Sequence, residues 1–327
     1  MTEGTKEQGR GGDGIGSQAF LLFARVGAWL IVPLYVAGIC TTHLLERSAG
    51  LPNENPFEDV VLWVGFGAFA VVGALLVMKR PANLIGWIMA TVALMVAIFP
   101  AGGAYAAYVM ATRGQPGAIA VFGAWTQNWY WYVLLALATV YLPLLFPNGR
   151  LLTRRWLPVA ILPGIASLVV AVLGALADTL FVEGAGKIDN PIGIEGLSFV
   201  EDLPVFAVLN GLLGVGIVGA VASVVVRYRR SGGLEREQMK WFVYAAALLL
   251  AAPVGDSLPE IVSNVLLGVV LIALPTAIGI AVLRHHLHDI RCPHQPHPRL
   301  RLPHGHTSSP LRRGHRPVAE AVRLTHG

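Results

Sequence analysis

The chain has 327 residues, of which 55% are hydrophobic and only 13% are charged, and its mean hydropathy is +0.62. A water-soluble domain carries about a quarter of its residues as charges, so this composition excludes an ordinary soluble globular protein. The net charge of +5 and the pI near 9.4 do not signal a nucleic-acid partner: most Lys and Arg stand at the ends of apolar runs, where they orient membrane spans, or in the C-terminal tail.

Residues 1–18 are glycine-rich, carry mixed charges and lack periodicity, which predicts a disordered cytoplasmic tail. The first apolar run is Ala19–Thr42. Its core is too long for a cleaved signal peptide and no small-x-small site closes it. Ile39 occupies the position before Cys40 that a lipoprotein signal fills with a small residue. The further runs are Val60–Met78, Leu84–Val109, Trp129–Phe146, Leu157–Ala177, Pro204–Val226, Trp241–Val254 and Ile261–Leu283. Most match the roughly 20 residues that cross a hydrocarbon core of about 30 Å. The seventh is the shortest, and Pro253-Val254-Gly255 ends it; spans seven and eight could instead form a re-entrant pair. The predicted fold class is all-α: a polytopic transmembrane helix bundle of about eight spans over residues 19–290. Cys40, in the first span, and Cys292, in the tail, are expected at different depths and do not predict a disulfide.

Orientation follows from the basic residues. One set of connecting segments holds Lys6, Arg10 and Arg25; Lys79 and Arg80; Arg150, Arg154 and Arg155; and Arg227, Arg229, Arg230, Arg236 and Lys240. The alternate set holds only Arg47, Arg113 and Lys187, and it is rich in acids such as Glu54, Glu58, Asp59, Asp178, Glu183, Asp189 and Glu260. This alternation favours eight spans over the re-entrant pair and predicts both termini in the cytoplasm.

Chemistry-bearing motifs are sparse. The chain has no GxxxxGK[ST] phosphate loop, no HExxH and no CxxC, and no catalytic, cofactor-binding or metal-binding residue is assigned. The run Trp129-Tyr130-Trp131-Tyr132 lies at the outer mouth of the fourth span and reads as an interfacial aromatic belt rather than a ligand cage. Ala207 with Gly211, and Gly216 with Ala220, form a small-residue ladder on the sixth span. Such ladders serve packing within one bundle or, on the sharper reading, a homodimer seam. No ionisable residue sits at mid-membrane depth: Arg25 is near a span end and Asn210 is uncharged. That weighs against the alternative function of a small-molecule transporter or channel, which would be expected to carry such groups. Leu287-His288-Asp289 looks like a kinase phosphoacceptor box, but Pro293, Pro296 and Pro298 follow and forbid the long helix it needs. The cluster His285, His286, His288, His294 and His297 lacks a fixed scaffold for a metal.

Five segments together carry a resemblance. They are Lys79-Arg80-Pro81-Ala82-Asn83-Leu84-Ile85-Gly86-Trp87; Pro143-Leu144-Leu145-Phe146-Pro147-Asn148-Gly149-Arg150-Leu151 with Arg154-Arg155-Trp156; Asn190-Pro191-Ile192-Gly193; Arg227-Tyr228-Arg229-Arg230-Ser231 with Glu235-Arg236-Glu237-Gln238-Met239-Lys240-Trp241; and Ala277-Ile278-Gly279-Ile280-Ala281-Val282-Leu283-Arg284. Over about residues 20–290 the chain resembles the multi-span N-terminal input region of actinobacterial sensor histidine kinases and their kinase-less relatives. The resemblance implies a multi-pass protein of the bacterial cell (inner) membrane that senses an unidentified ligand or stimulus within a two-component type of system. It implies no enzyme activity, because the kinase core is absent.

The likeness stops after Ile290. Relatives continue with a segment like Asp-Val-Leu-Ile-Asn-Arg-Thr-Leu-Val-Tyr-Gly, whereas this chain runs Arg291-Cys292-Pro293-His294-Gln295-Pro296 and onward. Codons for Arg291 through Leu302, chosen freely at their third bases and read one base downstream, give that continuation. Residues 291–327 are therefore expected to be out of frame and disordered.

Overall fold

The computed structural model describes residues 11–51, 55–184, 186–197, 204–250 and 259–284. The expectations for residues 291–327, for Leu287-His288-Asp289 and for the histidine cluster fall outside the described residues.

Ten α-helices dominate the described residues. They are α1 (Gly11–Ser48), α2 (Pro56–Lys79), α3 (Leu84–Arg113), α4 (Ala118–Gln127), α5 (Tyr130–Leu135), α6 (Leu142–Leu145), α7 (Leu157–Ala175), α8 (Pro204–Arg230), α9 (Gly233–Leu248) and α10 (Glu260–Arg284). Six of them, α1, α2, α3, α7, α8 and α10, are long and apolar enough to cross a membrane. The count rises to seven if the bent pair Ala118–Gln127 and Tyr130–Leu145 is one span. The expected seventh run appears as α9, whose apolar stretch Met239–Leu248 is short, and residues 251–258 lie outside the described set. The chain is a multi-pass helical membrane protein. Its outer faces support this as well as its helix lengths do, since Trp29 and Ile261 are each 73% exposed, apolar surface that suits lipid rather than water.

Three features go beyond the sequence reading. α1 already begins at Gly11, inside the segment expected to be a tail. α4 is a helix in a stretch read as a loop. The chain is also not wholly helical: β1 (Thr179–Val182) and β2 (Gly186–Asp189) form an antiparallel hairpin pairing Leu180 with Ile188.

Local chemistry sets the helix ends. The Asn55 side chain accepts from the Glu58 amide at 3.2 Å and donates to the Glu58 carboxylate at 3.0 Å, with Pro56 in the first turn of α2. The first bond satisfies one orphan donor of the helix start, and the second holds the capping side chain in place. Asn55 also donates to Glu260 at 2.6 Å, tying the starts of α2 and α10. α3 ends in a left-handed Gly114 (φ +72°), whose amide returns to Met110 O.

α3 is the central helix, packed by α1, α2 and α4. Glycines allow the approach. A Cβ on Gly38 would lie 2.7 Å from the Ala97 Cβ, and one on Gly123 would run into the Gly102 backbone. In lipid, where helices gain little by hiding apolar surface from a solvent that is itself apolar, such backbone proximity is a main source of association. The largest buried cluster joins α1, α2, α3, α9 and α10 with α6, around Phe69, Met89, Phe146, Phe242 and Ile278. A smaller one joins α7 and α8 to the fourth span.

The fourth span is irregular for an identifiable reason. Pro143 has no amide proton, so the helix before it cannot keep its regular bonding. Ala136–Tyr141 takes a π-helical turn, with the Leu142 amide reaching back to Leu137 O, five residues earlier.

Candidate functional site

Three of the five singled-out segments meet at one end of the bundle, in a joint built from turns and helix ends. Pro81 follows the end of α2, and Asn83 caps α3 by accepting from the Ile85 amide at 3.0 Å. Trp87 Nε1 donates to Pro81 O at 2.8 Å, pinning the turn against the first coil of α3. The Asn83 side-chain amide crosses to the next loop and donates to Pro147 O at 3.2 Å.

That loop begins where α6 ends. The Phe146–Pro147 bond is cis and Gly149 has φ +70°, in the left-handed region that favours glycine. The Gly149 amide returns to Leu145 O at 2.9 Å. A Cβ there would lie 3.2 Å from the Leu84 Cβ and 3.4 Å from Asn83 Oδ1. The Asn-Gly pair thus serves both the turn and the close packing against α3.

Arg227, in the last turn of α8, closes the joint. Its Nη2 donates to Leu144 O at 2.9 Å and to Arg150 O at 2.8 Å. Leu144 lies in the last turn of α6, where carbonyls lose their helical partners, so the guanidinium supplies what the chain end lacks. Its Nε is buried without an acceptor among the described residues. From α9, Phe242 stacks on Phe146 with centroids 3.8 Å apart, and both rings are fully buried. Arg236 lies over the Tyr228 ring at 5.0 Å. The ends of α3, α6, α8 and α9 are therefore held in one knot.

The opposite end is aromatic. Trp129 packs edge-on against Phe99 and Trp125 at 5.5 and 5.4 Å, Tyr130 packs on Phe99 at 5.3 Å, and Tyr132 meets Phe206 at 6.2 Å. Within the run expected to be an interfacial belt, only Trp131 is well exposed, at 40%. The others join inward packing. Asn128 reaches the hairpin by donating to Thr179 O at 3.2 Å. Asn190, from the third singled-out segment, is buried and donates to Ala175 O and Ala177 O at 3.0 and 2.6 Å while accepting from the Ile192 amide. That segment locks a loop; it does not form a reactive site.

The small-residue ladder of α8 divides. Gly216 faces Pro163 of α7 and Ala220 is fully buried, whereas Ala207 and Gly211 are exposed. Packing within the bundle uses the first pair and leaves only the second for any homodimer seam. Among the described residues, no group of three or more His, Cys, Asp or Glu could hold a metal.

In the sequence Arg227 counts only as an orienting charge, and its role as a staple is not visible there. Phe146 has no role beyond its segment, and Phe242 lies one residue outside the segments singled out. No family model, curated protein or solved structure matches the chain.

Proposed function

We propose that the chain is the membrane-embedded sensory input region of a signal-transduction protein, of the kind that precedes the kinase core in sensor histidine kinases. The observation that carries this reading is the joint. Four helix ends share one hydrogen-bonded and stacked knot, so a tilt or shift of one span bears on the others. Small displacements spread in this way through packed elements with discrete arrangements. The spans also lack acids and bases at mid-length, which ion-coupled carriers use.

In this reading the knotted end is cytoplasmic, the hairpin end is external, and the protein sits in a bacterial inner membrane. α9 and the residues that follow it complete a seventh span, giving eight with both termini inside. A cysteine introduced at Gly196 in a Cys40→Ser, Cys292→Ser background should react with an impermeant maleimide on intact cells. One introduced at Ser231 should react only after lysis. External labelling at Ser231 would sink the topology.

The function is tested by two measurements. DNA read one base downstream from codon 291 should open a long frame encoding an apolar segment and a cytoplasmic extension of kinase type. Proteoliposomes of the purified chain should show no solute or ion flux above empty vesicles. A saturable flux would install the carrier reading, and stop codons throughout the shifted frame would remove the support that the resemblance lends.

A further inference from the structure

We propose that a cleft in the joint binds a phosphate group. The cleft has a volume of about 520 Å³ and is lined by Leu84 at the start of α3, by Asn148, Gly149 and Arg150 after α6, and by Arg227 of α8. Its lining includes two guanidinium groups and no carboxylate. Arg227 is held in place by its two carbonyl bonds, which fix its charge at the wall of the cleft. The Arg150 side chain is exposed and forms no hydrogen bond or ion pair among the described residues.

A fixed guanidinium beside a free one suits an oxyanion with several acceptor oxygens, because the planar fork of Arg matches phosphate geometry with two parallel bonds. Lys79, Arg80, Arg154, Arg155, Arg229 and Arg230 lie in the adjoining turns and helix ends. Together they raise the local concentration of anions at the mouth. The joint closes several spans at their common end, the level at which lipid phosphates lie. Two sources share this chemistry: the phosphodiester of an anionic lipid headgroup, and free phosphate from the aqueous side.

The test uses the purified, delipidated full chain and reads its unfolding midpoint by tryptophan fluorescence. Inorganic phosphate is titrated against chloride at constant ionic strength, and short-chain phosphatidylglycerol against short-chain phosphatidylcholine. A ligand that binds the folded state raises the midpoint with concentration. A rise with phosphatidylglycerol alone assigns the site to a lipid headgroup, and a rise with inorganic phosphate as well assigns it to the phosphate group itself. Arg150→Gln should weaken the apparent affinity about tenfold, the effect of losing one charge-assisted hydrogen bond, with each variant read against its own unliganded midpoint. Should that variant not purify, Arg150→Lys keeps the charge but loses the fork, and it should also bind more weakly than wild type. The double variant Arg229→Gln, Arg230→Gln, at the mouth, should change affinity far less. The proposal is overturned if neither probe raises the wild-type midpoint, if the Arg150 variants titrate like wild type, or if the mouth variant loses as much as Arg150→Gln. It does not depend on the signalling role, since binding is read without any stimulus or output.

Discussion

Replacing Arg227 with Met should destabilise the protein by about 3 kcal/mol, the sum expected for two hydrogen bonds from a charged donor. Methionine nearly matches the length and apolar stem of arginine, so the loss isolates the guanidinium. Without it Leu144 O and Arg150 O lose their partner at 2.9 and 2.8 Å. The α6 carbonyl is the costlier of the two, because it sits at a buried helix end. Arg227→Lys should fall between wild type and Met, since the ammonium carries enough donors for both carbonyls but sits on a stem one bond too short to reach the position of Nη2. Unfolding in mixed micelles, followed by tryptophan fluorescence, measures both. A Met variant within about 0.5 kcal/mol of wild type, the range of an ordinary surface change, would mean that the residue is only an interfacial anchor.

The second large effect is expected at Phe242. Its ring lies 3.8 Å from that of Phe146, both fully buried. In lipid the transfer part of the cost shrinks, because hydrocarbon replaces water outside the bundle. The cavity and the lost dispersion contacts remain. Phe242→Ala should therefore cost about 2–3 kcal/mol, at the low end of aromatic truncations in water. The neighbouring Trp241 is 65% exposed, so Trp241→Ala should stay within about 0.5 kcal/mol. The comparison carries the argument: if both variants lose equally, the ring stack does not hold α9 to α6. The apolar stretch of α9, Met239–Leu248, is also shorter than any of the six spans, so the Phe242 variant should release it before the long spans separate. Proteolysis near Ser231 in micelles would report that release.

The long spans were legible in the sequence because length and apolarity are local properties set against a bilayer of fixed thickness. The runs opening at Ala19, Val60, Leu84, Leu157, Pro204 and Ile261 correspond to the six helices that qualify as spans. The start of α3 was equally legible, since Asn83 after Pro81 is a local stop-and-cap signal. The sequence also marked out, as unusual, the segments that build the joint.

Tertiary structure alone decided what those segments do. Arg227 lies 83 residues from Leu144 and 77 from Arg150, and Asn83 lies 64 from Pro147. No local pattern encodes a pairing at such separations. For the same reason the ladder on α8 could not be divided in advance between the face that meets Pro163 and the face left open. Residues 118–127 escaped notice because ten residues are too few to span and they run into the polar Thr126, Gln127 and the following Asn128. They become a helix bent by 44° from the rest of its pair because Gly123 can lie against Gly102 and Gln127 can donate to Phe99 O. Apolar length determined which segments enter the membrane, and close backbone approach and distant hydrogen-bond partners determined how they are joined once inside it.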